Sequence, residues 1–303
     1  AWNWDMGADT PTGFGCVTWT GDASSSRDIN GVGFSPDLVW GKSRSNAVGH
    51  HFFDTVRGAT KQLESDSTNA ESTQATMLTK FNPDGFTIGN DNAINGSGRT
   101  QVAWCWNMGG SNASNTTGTI NSTVRANTTY GQSIVSFIGT GSSASVGHGL
   151  TSAPELVLVM NRDDAHNPSI WHTSIPNTHY LHLDGTAASA QNTAYWSSTS
   201  PTNQVFTVGT SADVNGSSNN MIAYCFHSVS GYSKFGTYNG TGSANNAVTL
   251  GFRPAFLMVK RINSTEDWFI FDSTRNPLNT VNLRLKANTT DADGAYSYVN
   301  FTD

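Results

Sequence analysis

Charge is scarce in this chain of 303 residues: Asp, Glu, Lys and Arg together make up 13%, and the formal net charge is −6. Without a basic patch to neutralise phosphates, nucleic acid is disfavoured as a partner. Cysteine is scarcer still. Cys16, Cys105 and Cys225 cannot all pair within the chain, and no Cys-x-x-Cys spacing points to zinc or redox chemistry, so they read as buried thiols packing as small hydrophobes. No apolar run reaches the length of a membrane span, and no signal-peptide pattern opens the chain. No Gly-x-Ser-x-Gly elbow precedes a helix.

Polarity is carried instead by Ser, Thr, Asn and Gly, and aromatic residues make up 11% of the chain, enough to build a core despite few aliphatics. The dominant feature is internal repetition. Ala103-Trp104-Cys105-Trp106-Asn107-Met108-Gly109 has a twin in Ala1-Trp2-Asn3-Trp4-Asp5-Met6-Gly7 and a weaker copy in Ala223-Tyr224-Cys225-Phe226. Apolar strands follow prolines 36, 154 and 254, which are 118 and 100 residues apart. Ahead of each stands a Thr/Ser-aromatic segment ending in Gly21, Gly139 or Gly240. Asp54 and Arg57 reappear as Asp272 and Arg275, Gly85–Gly89 as Val205–Gly209, and Asn95-Gly96 as Asn215-Gly216.

These landmarks divide the chain into residues 1–14, the end of a preceding repeat; 15–110, a first repeat; 111–131, a linker; 132–230, a second repeat; and 231–303, a third repeat truncated before its last strands. Two readings of the N-terminal block compete. One makes the chain a fragment of a longer polypeptide; the other has the block complete the third copy and close the array. The first is favoured, because the third copy lacks more than one strand.

Within a repeat, short runs rich in β-branched and aromatic residues alternate with Gly, Asn, Pro and Ser clusters. This predicts an all-β fold of tandem antiparallel β-sandwiches, jelly-roll-like and concanavalin-like. Asn95-Gly96 and Asn215-Gly216 predict hairpin turns. Residues 59–75, the one stretch of helical composition, are rich in Ser, Thr and Asn and read as a long loop. Trp104 and Trp106 share one strand face and are expected to fill the sandwich interior.

Chemistry-bearing constellations are few, and no catalytic residues are assigned. His166, His172, His179 and His182 form a local histidine cluster in the second copy only, and they read as strand histidines, not a metal site. Asp54/Arg57 and Asp272/Arg275 could supply glycosidase carboxylates, but the second copy has His172 and Pro176 there, which favours a structural ion pair. Loops Asn90-Asp91-Asn92 and Asp291-Ala292-Asp293-Gly294 lack a full calcium ligand ladder. No cofactor or metal is expected. Trp171, Tyr195, Trp196 and Trp268 are the candidates for stacking on a sugar ring.

The strings Phe-Ser-Pro-Asp-Leu-Val-Trp-Gly-Lys-Ser-Arg at 34–44, Phe-Asp-Thr-Val-Arg-Gly-Ala-Thr at 53–60, Asn-Pro-Asp-Gly-Phe-Thr-Ile-Gly at 82–89, Val-Ala-Trp-Cys-Trp at 102–106 and Gly-Phe-Arg-Pro-Ala-Phe-Leu-Met-Val-Lys-Arg at 251–261 resemble a repeated domain of tailed phages of marine bacteria, especially cyanophages and pelagiphages. The resemblance covers essentially the whole chain. It implies a virion structural or adhesive role as a tail fibre or capsid appendage, on the particle surface, with other virion proteins and copies of itself as partners. It supplies no catalytic residues. The alternatives are a carbohydrate-binding module for host-surface glycans and a glycan-degrading tailspike-like enzyme.

Overall fold

A computed structural model describes residues 2–5 and 13–302. Among these the chain is nearly all β, with three helices of four residues each. Strand β1 is Trp2–Asp5. The first copy runs through β2 (Phe14–Thr20), β3 (Arg27–Asn30), β4 (Leu38–Ser43), β5 (His50–Asp54), β6 (Gly58–Leu63), β7 (Ser72–Thr73), β8 (Leu78–Asn82), β9 (Gly85–Ile88), α1 (Asn92–Asn95) and β10 (Thr100–Trp106). Then come β11 (Ala113–Asn115) and β12 (Ser122–Asn127). The second copy holds β13 (Gln132–Ile138), β14 (Ala144–Gly147), β15 (Leu156–Asn161), β16 (Ser169–His172), β17 (His179–His182), β18 (Ala190–Gln191), α2 (Thr193–Trp196), β19 (Val205–Val208), α3 (Ala212–Asn215) and β20 (Asn220–Phe226). The third holds β21 (Pro254–Lys260), β22 (Trp268–Asp272), β23 (Val281–Lys286) and β24 (Gly294–Val299).

All named strand pairings are antiparallel, and the three large sheets repeat one order. They run β2-β10-β4-β5-β6-β7, then β11-β12-β13-β20-β15-β16-β17-β18, then β1-β21-β22-β23-β24. The register is conserved between them: Trp104 lies opposite Trp40, Tyr224 opposite Leu158, and Trp2 opposite Met258. The N-terminal strand therefore occupies, in the third sheet, the place that β10 and β20 hold in the other two. Residues 1 and 6–12 of that block lie outside the described residues.

Strands β10 and β20 are buried on both faces, so they show no polar alternation. Strand β10 sends Val102, Trp104 and Trp106 into a core built from all three copies, alongside Trp40, Tyr224, Phe226, Phe256 and Met258. Ala103 and Cys105 point the other way, into a separate core of the first copy with Val39, Phe53, Phe86 and Ile94. That core is closed by the small sheet β3-β9-β8. The second copy matches, with Ala223 and Cys225 in its own core beside Val157, Phe206 and Trp196. The expectation for Trp104 and Trp106 is thus corrected. They fill the space between copies, and the smaller residues on the same strand face the interior of their own. Rings meet across the copies: Trp106 lies 6.4 Å from Phe226 and 6.0 Å from Phe256, and Trp104 5.6 Å from Phe256. At about 200 Å² each, burying such rings contributes on the order of 5 kcal/mol apiece.

Three further expectations change. Asn95-Gly96 and Asn215-Gly216 are not hairpins; they end α1 and α3, and both glycines have negative φ. The asparagines are fully buried, and each side chain clamps the loop that leaves the first strand of its copy. Asn95 Nδ2 donates to Gly89 and Ser24 carbonyls, and Asn215 Nδ2 to those of Gly209 and Ser142. The same approach explains the recurrent glycine after that strand, since a Cβ on Gly21 or Gly139 would lie 2.2 Å from the carbonyl oxygen of Gly96 or Gly216. Residues 59–75 are a loop only in part: 59–63 lie in β6 and 72–73 form β7, with the irregular segment 64–71 between them. Finally, the linker 111–131 is folded: β12 pairs with β13 along its whole length, and Val124 is buried in the second copy's core.

Candidate functional site

The polar residues that recur between copies converge where one copy meets the next. At the end of β5, Asp54 turns the chain: its Oδ1 accepts the N–H groups of Val56 at 3.0 Å and Arg57 at 2.9 Å. Its Oδ2 accepts Arg57 Nε at 2.5 Å and the hydroxyl of Tyr224, from the second copy, at 2.8 Å. Arg57 also donates to the Phe52 carbonyl and to Tyr224 Oη, and pairs with Glu71 at 3.2 Å. Glu71 in turn takes two hydrogen bonds from Arg162 of the second copy, at 2.8 and 2.9 Å.

The third copy meets the first through the same set. Asp272 accepts Arg275 Nε at 2.5 Å and the indole N–H of Trp104 at 3.0 Å. Arg275 reaches Asp293, which also holds Arg44 at 2.8 Å. Backbone bonds repeat as well: Glu71 N–H donates to Arg162 O, Asp293 N–H to Arg44 O, and Ser189 N–H to Ile262 O. These three bonds link first to second, third to first, and second to third copies, so the copies close into a ring.

Electrostatics at the two polar junctions follow from burial. It opposes the charge on Arg57, but Asp54, Tyr224 and Glu71 outweigh it and its pKa is raised. Burial also pushes the Tyr224 hydroxyl well above its ordinary value. Asp54 and Asp272 are fully buried and saturated with donors, so neither presents a carboxylate to a substrate. The structural reading of the Asp–Arg pair holds. The acidic loops are spent in the same way: Asp293 bridges two arginines, Asp291 pairs with Lys286, and Asp91 caps α1. Among the described residues no group of three His, Cys, Asp or Glu side chains is placed to hold a metal.

The second copy's histidines separate. His166 and His182 converge on Asp213, at 2.9 and 3.6 Å, and Tyr195 donates to the same carboxylate at 2.5 Å. Burial would raise Asp213, but hydrogen bonds from His182 and Tyr195 hold it at about 2. Tyr180 stacks on Tyr195 at 3.8 Å. His179 bonds Thr178 instead, and His172 faces elsewhere, toward the next junction. A carboxylate enclosed by three donors anchors α3 against β17, and the Ser211 hydroxyl beside it caps α3 by accepting the Asp213 N–H.

At the junction between the second and third copies the polar staple is missing. By register His172 takes the place of Asp54 and Asp272, and Ile175 (not Pro176) stands three residues on, where the others have arginine. Ser189 replaces the bridging acid and Ile262 its arginine partner. Here a cleft of about 640 Å³ opens between residues 236–240 and the end of β21, with His172, Leu181 and Trp268 on its floor. His172 is 9% exposed, and its Nε2 has no hydrogen-bond partner among the described residues. Burial holds its pKa down at about 3.

Of the sugar-stacking candidates, Trp171, Tyr195 and Trp196 are buried in the second copy's core. Trp268 reaches the cleft but is 4% exposed, with its indole N–H donated to the His182 carbonyl at 2.9 Å. All three cysteines are buried free thiols, as the sequence implies, with pKa values pushed up by burial. The ring of junctions was out of reach of sequence reasoning. Its signal was the pairing of recurrent acids, Asp54 and Asp272, with recurrent aromatics, Tyr224 and Trp104, one copy away.

A family model described as "Domain of unknown function (DUF7483)" matches residues 10–302. No curated protein and no solved structure matches the chain.

Proposed function

The chain belongs to the DUF7483 family, and we propose that it is a non-enzymatic structural or adhesive component of a phage virion, built from tandem jelly-roll-like β-sandwiches. The observation that carries this is the fate of its reactive groups. The recurring Asp54–Arg57 and Asp272–Arg275 pairs are each buried within their own copy and reach the neighbouring copy through the Tyr224 hydroxyl and the Trp104 indole N–H, so the carboxylates face protein and not solvent. A catalytic pair must instead face a substrate across an open groove. The motif resemblance to appendage proteins of marine tailed phages points the same way. Other virion proteins and copies of itself are then its partners, at the particle surface.

The test is immunogold labelling of purified particles with antibody to this chain, together with mass spectrometry of their proteins. Specific decoration and stoichiometric recovery are expected. Absence of the chain from washed particles would overturn the reading, as would release of sugars from host-surface glycan. A glycan array separates adhesive from purely structural roles.

A further inference from the structure

We propose that the junction between the first and third copies is acid-sensitive: His50 closes it as a neutral imidazole and opens it on taking up a proton. His50 begins β5 and is fully buried. The indole N–H of Trp40 donates to its Nδ1 at 2.9 Å. An indole can only donate, so Nδ1 carries the lone pair and the ring proton sits on Nε2. That N–H donates to the carbonyl of Lys286, in the third copy, at 2.9 Å. Both ring nitrogens are thereby satisfied, and this neutral tautomer is the form that satisfies them.

Two further side chains of the first copy hold the same stretch of the third. Ser65 Oγ donates to the Ala287 carbonyl at 2.7 Å, and Lys42 Nζ to that of Thr290 at 3.2 Å. The other junctions are built differently. By register, Pro168 and Trp268 stand where the first copy has His50. Trp268 makes the matching bond, to the His182 carbonyl of the second copy, through an indole that does not titrate. Pro168 has no side-chain donor to offer. Of the three residues at this position, His50 alone is titratable.

Protonation would put a second N–H on the ring, facing the Trp40 N–H donor to donor, and would bury a cation. Burial holds His50 well below its ordinary value of 6.5, and Lys42 on β4, His51 beside it and Arg275 from the third copy oppose a further positive charge. Trp104, from β10, stacks 6.4 Å away and is uncharged. The carboxylates on this side are committed. Asp66 accepts the His50 backbone N–H, Asp291 pairs with Lys286, Asp293 bridges Arg44 and Arg275, and Asp272 holds Arg275 and Trp104. A His50 freed by opening titrates near 6.5, whereas the enclosed ring refuses the proton. Each unit of pH below 6.5 therefore favours opening about tenfold, until the enclosed ring is charged too. This inference rests on hydrogen-bond geometry at one junction and does not depend on the virion reading.

The test is hydrogen exchange of the intact chain from pH 7 down to 4.5, expressed as protection factors. The Asp293 N–H, bonded to the Arg44 carbonyl, reports on this junction, and the Glu71 N–H, bonded to the Arg162 carbonyl, on the one between the first and second copies. Asp293 is expected to lose protection about tenfold per unit of pH below 6.5, and Glu71 to change less. His50→Gln, whose amide can accept from Trp40 and donate to Lys286 without titrating, should abolish the difference. Nitrogen-15 spectra of the imidazoles check the premise in the parent protein: at pH 5.5 His50 should still carry its proton on Nε2 and none on Nδ1. Parallel loss of protection at Asp293 and Glu71 overturns the proposal. So does a difference that survives His50→Gln, or a His50 signal with the proton on Nδ1.

Discussion

Tyr224 and Trp104 show how much one polar atom on an apolar ring can decide. Each ring packs in the shared core, and each donates one hydrogen bond to a buried carboxylate of a neighbouring copy. Removing only the hydroxyl, as Tyr224→Phe, leaves the ring in place and takes one partner from Asp54 and Arg57. A loss of about 1–3 kcal/mol is expected in urea denaturation. Asp54→Ala should cost more, about 3–5 kcal/mol, because Arg57 is then buried without its main counter-charge. If Asp54→Ala proved the milder of the two, the junction would not be an ion-pair staple.

Buried histidines set the response to acid. Burial lowers His51 and His148 to about 4 and His172 to about 3, and holds His50 well below its ordinary value. Below the ordinary value of 6.5 the unfolded chain takes up protons that these folded sites refuse, so stability drains away between pH 6.5 and about 4. Asp37 acts in the opposite sense. Burial raises it to about 6 despite Arg125, so the folded state binds its proton first and gains as pH falls toward 3.8. Burial raises Asp66 and Asp184 in the same sense, and these three carboxyls oppose but do not outnumber the four imidazoles. The melting temperature should fall steadily from pH 6.5 to 4.5, and His148→Gln should flatten that slope; a flat profile in the parent protein would discount the histidines.

Among the elements, β10 explains most about the fold. Its two faces serve different cores, with Val102, Trp104 and Trp106 on one and Ala103 and Cys105 on the other. Trp104→Ala should therefore cost about 3–5 kcal/mol by opening the space between copies. Cys105 and Cys225, sealed on the opposite face, should resist a thiol reagent such as Ellman's until the protein unfolds. Rapid labelling of the native protein would place those thiols at an accessible surface.

The same strand shows where sequence reading stops. Repetition, the all-β class, the buried thiols and the structural Asp–Arg pair were all legible, because each leaves a local signature in residue type or spacing. Which face of β10 meets which core was not, since a strand buried on both sides carries no alternation to read. Polar strands escaped for a related reason. Strand β12, Ser122–Asn127, has Val124 buried in the second core and otherwise resembles a linker. The Asn-Gly pairs misled because asparagine clamps a loop by its side chain here, a role that depends on contacts some 70 residues away.

At the scale of the whole molecule, the three copies form a closed ring around one core, with polar staples at two junctions and a cleft at the third. Domains on a string would each keep a private core and melt separately. Here the inner face of every large sheet is covered by the other two copies, so none can unfold without exposing its neighbours' aromatic rings. Residues 132–230 expressed alone should be poorly stable, exposing Leu156, Leu158, Tyr224 and Phe226 to water. Differential scanning calorimetry of the intact chain tests the shared core most directly. A single transition is expected, with calorimetric and van't Hoff enthalpies equal at roughly 200 kcal/mol. Two or three resolved transitions, with Trp104→Ala lowering only one of them, would refute it.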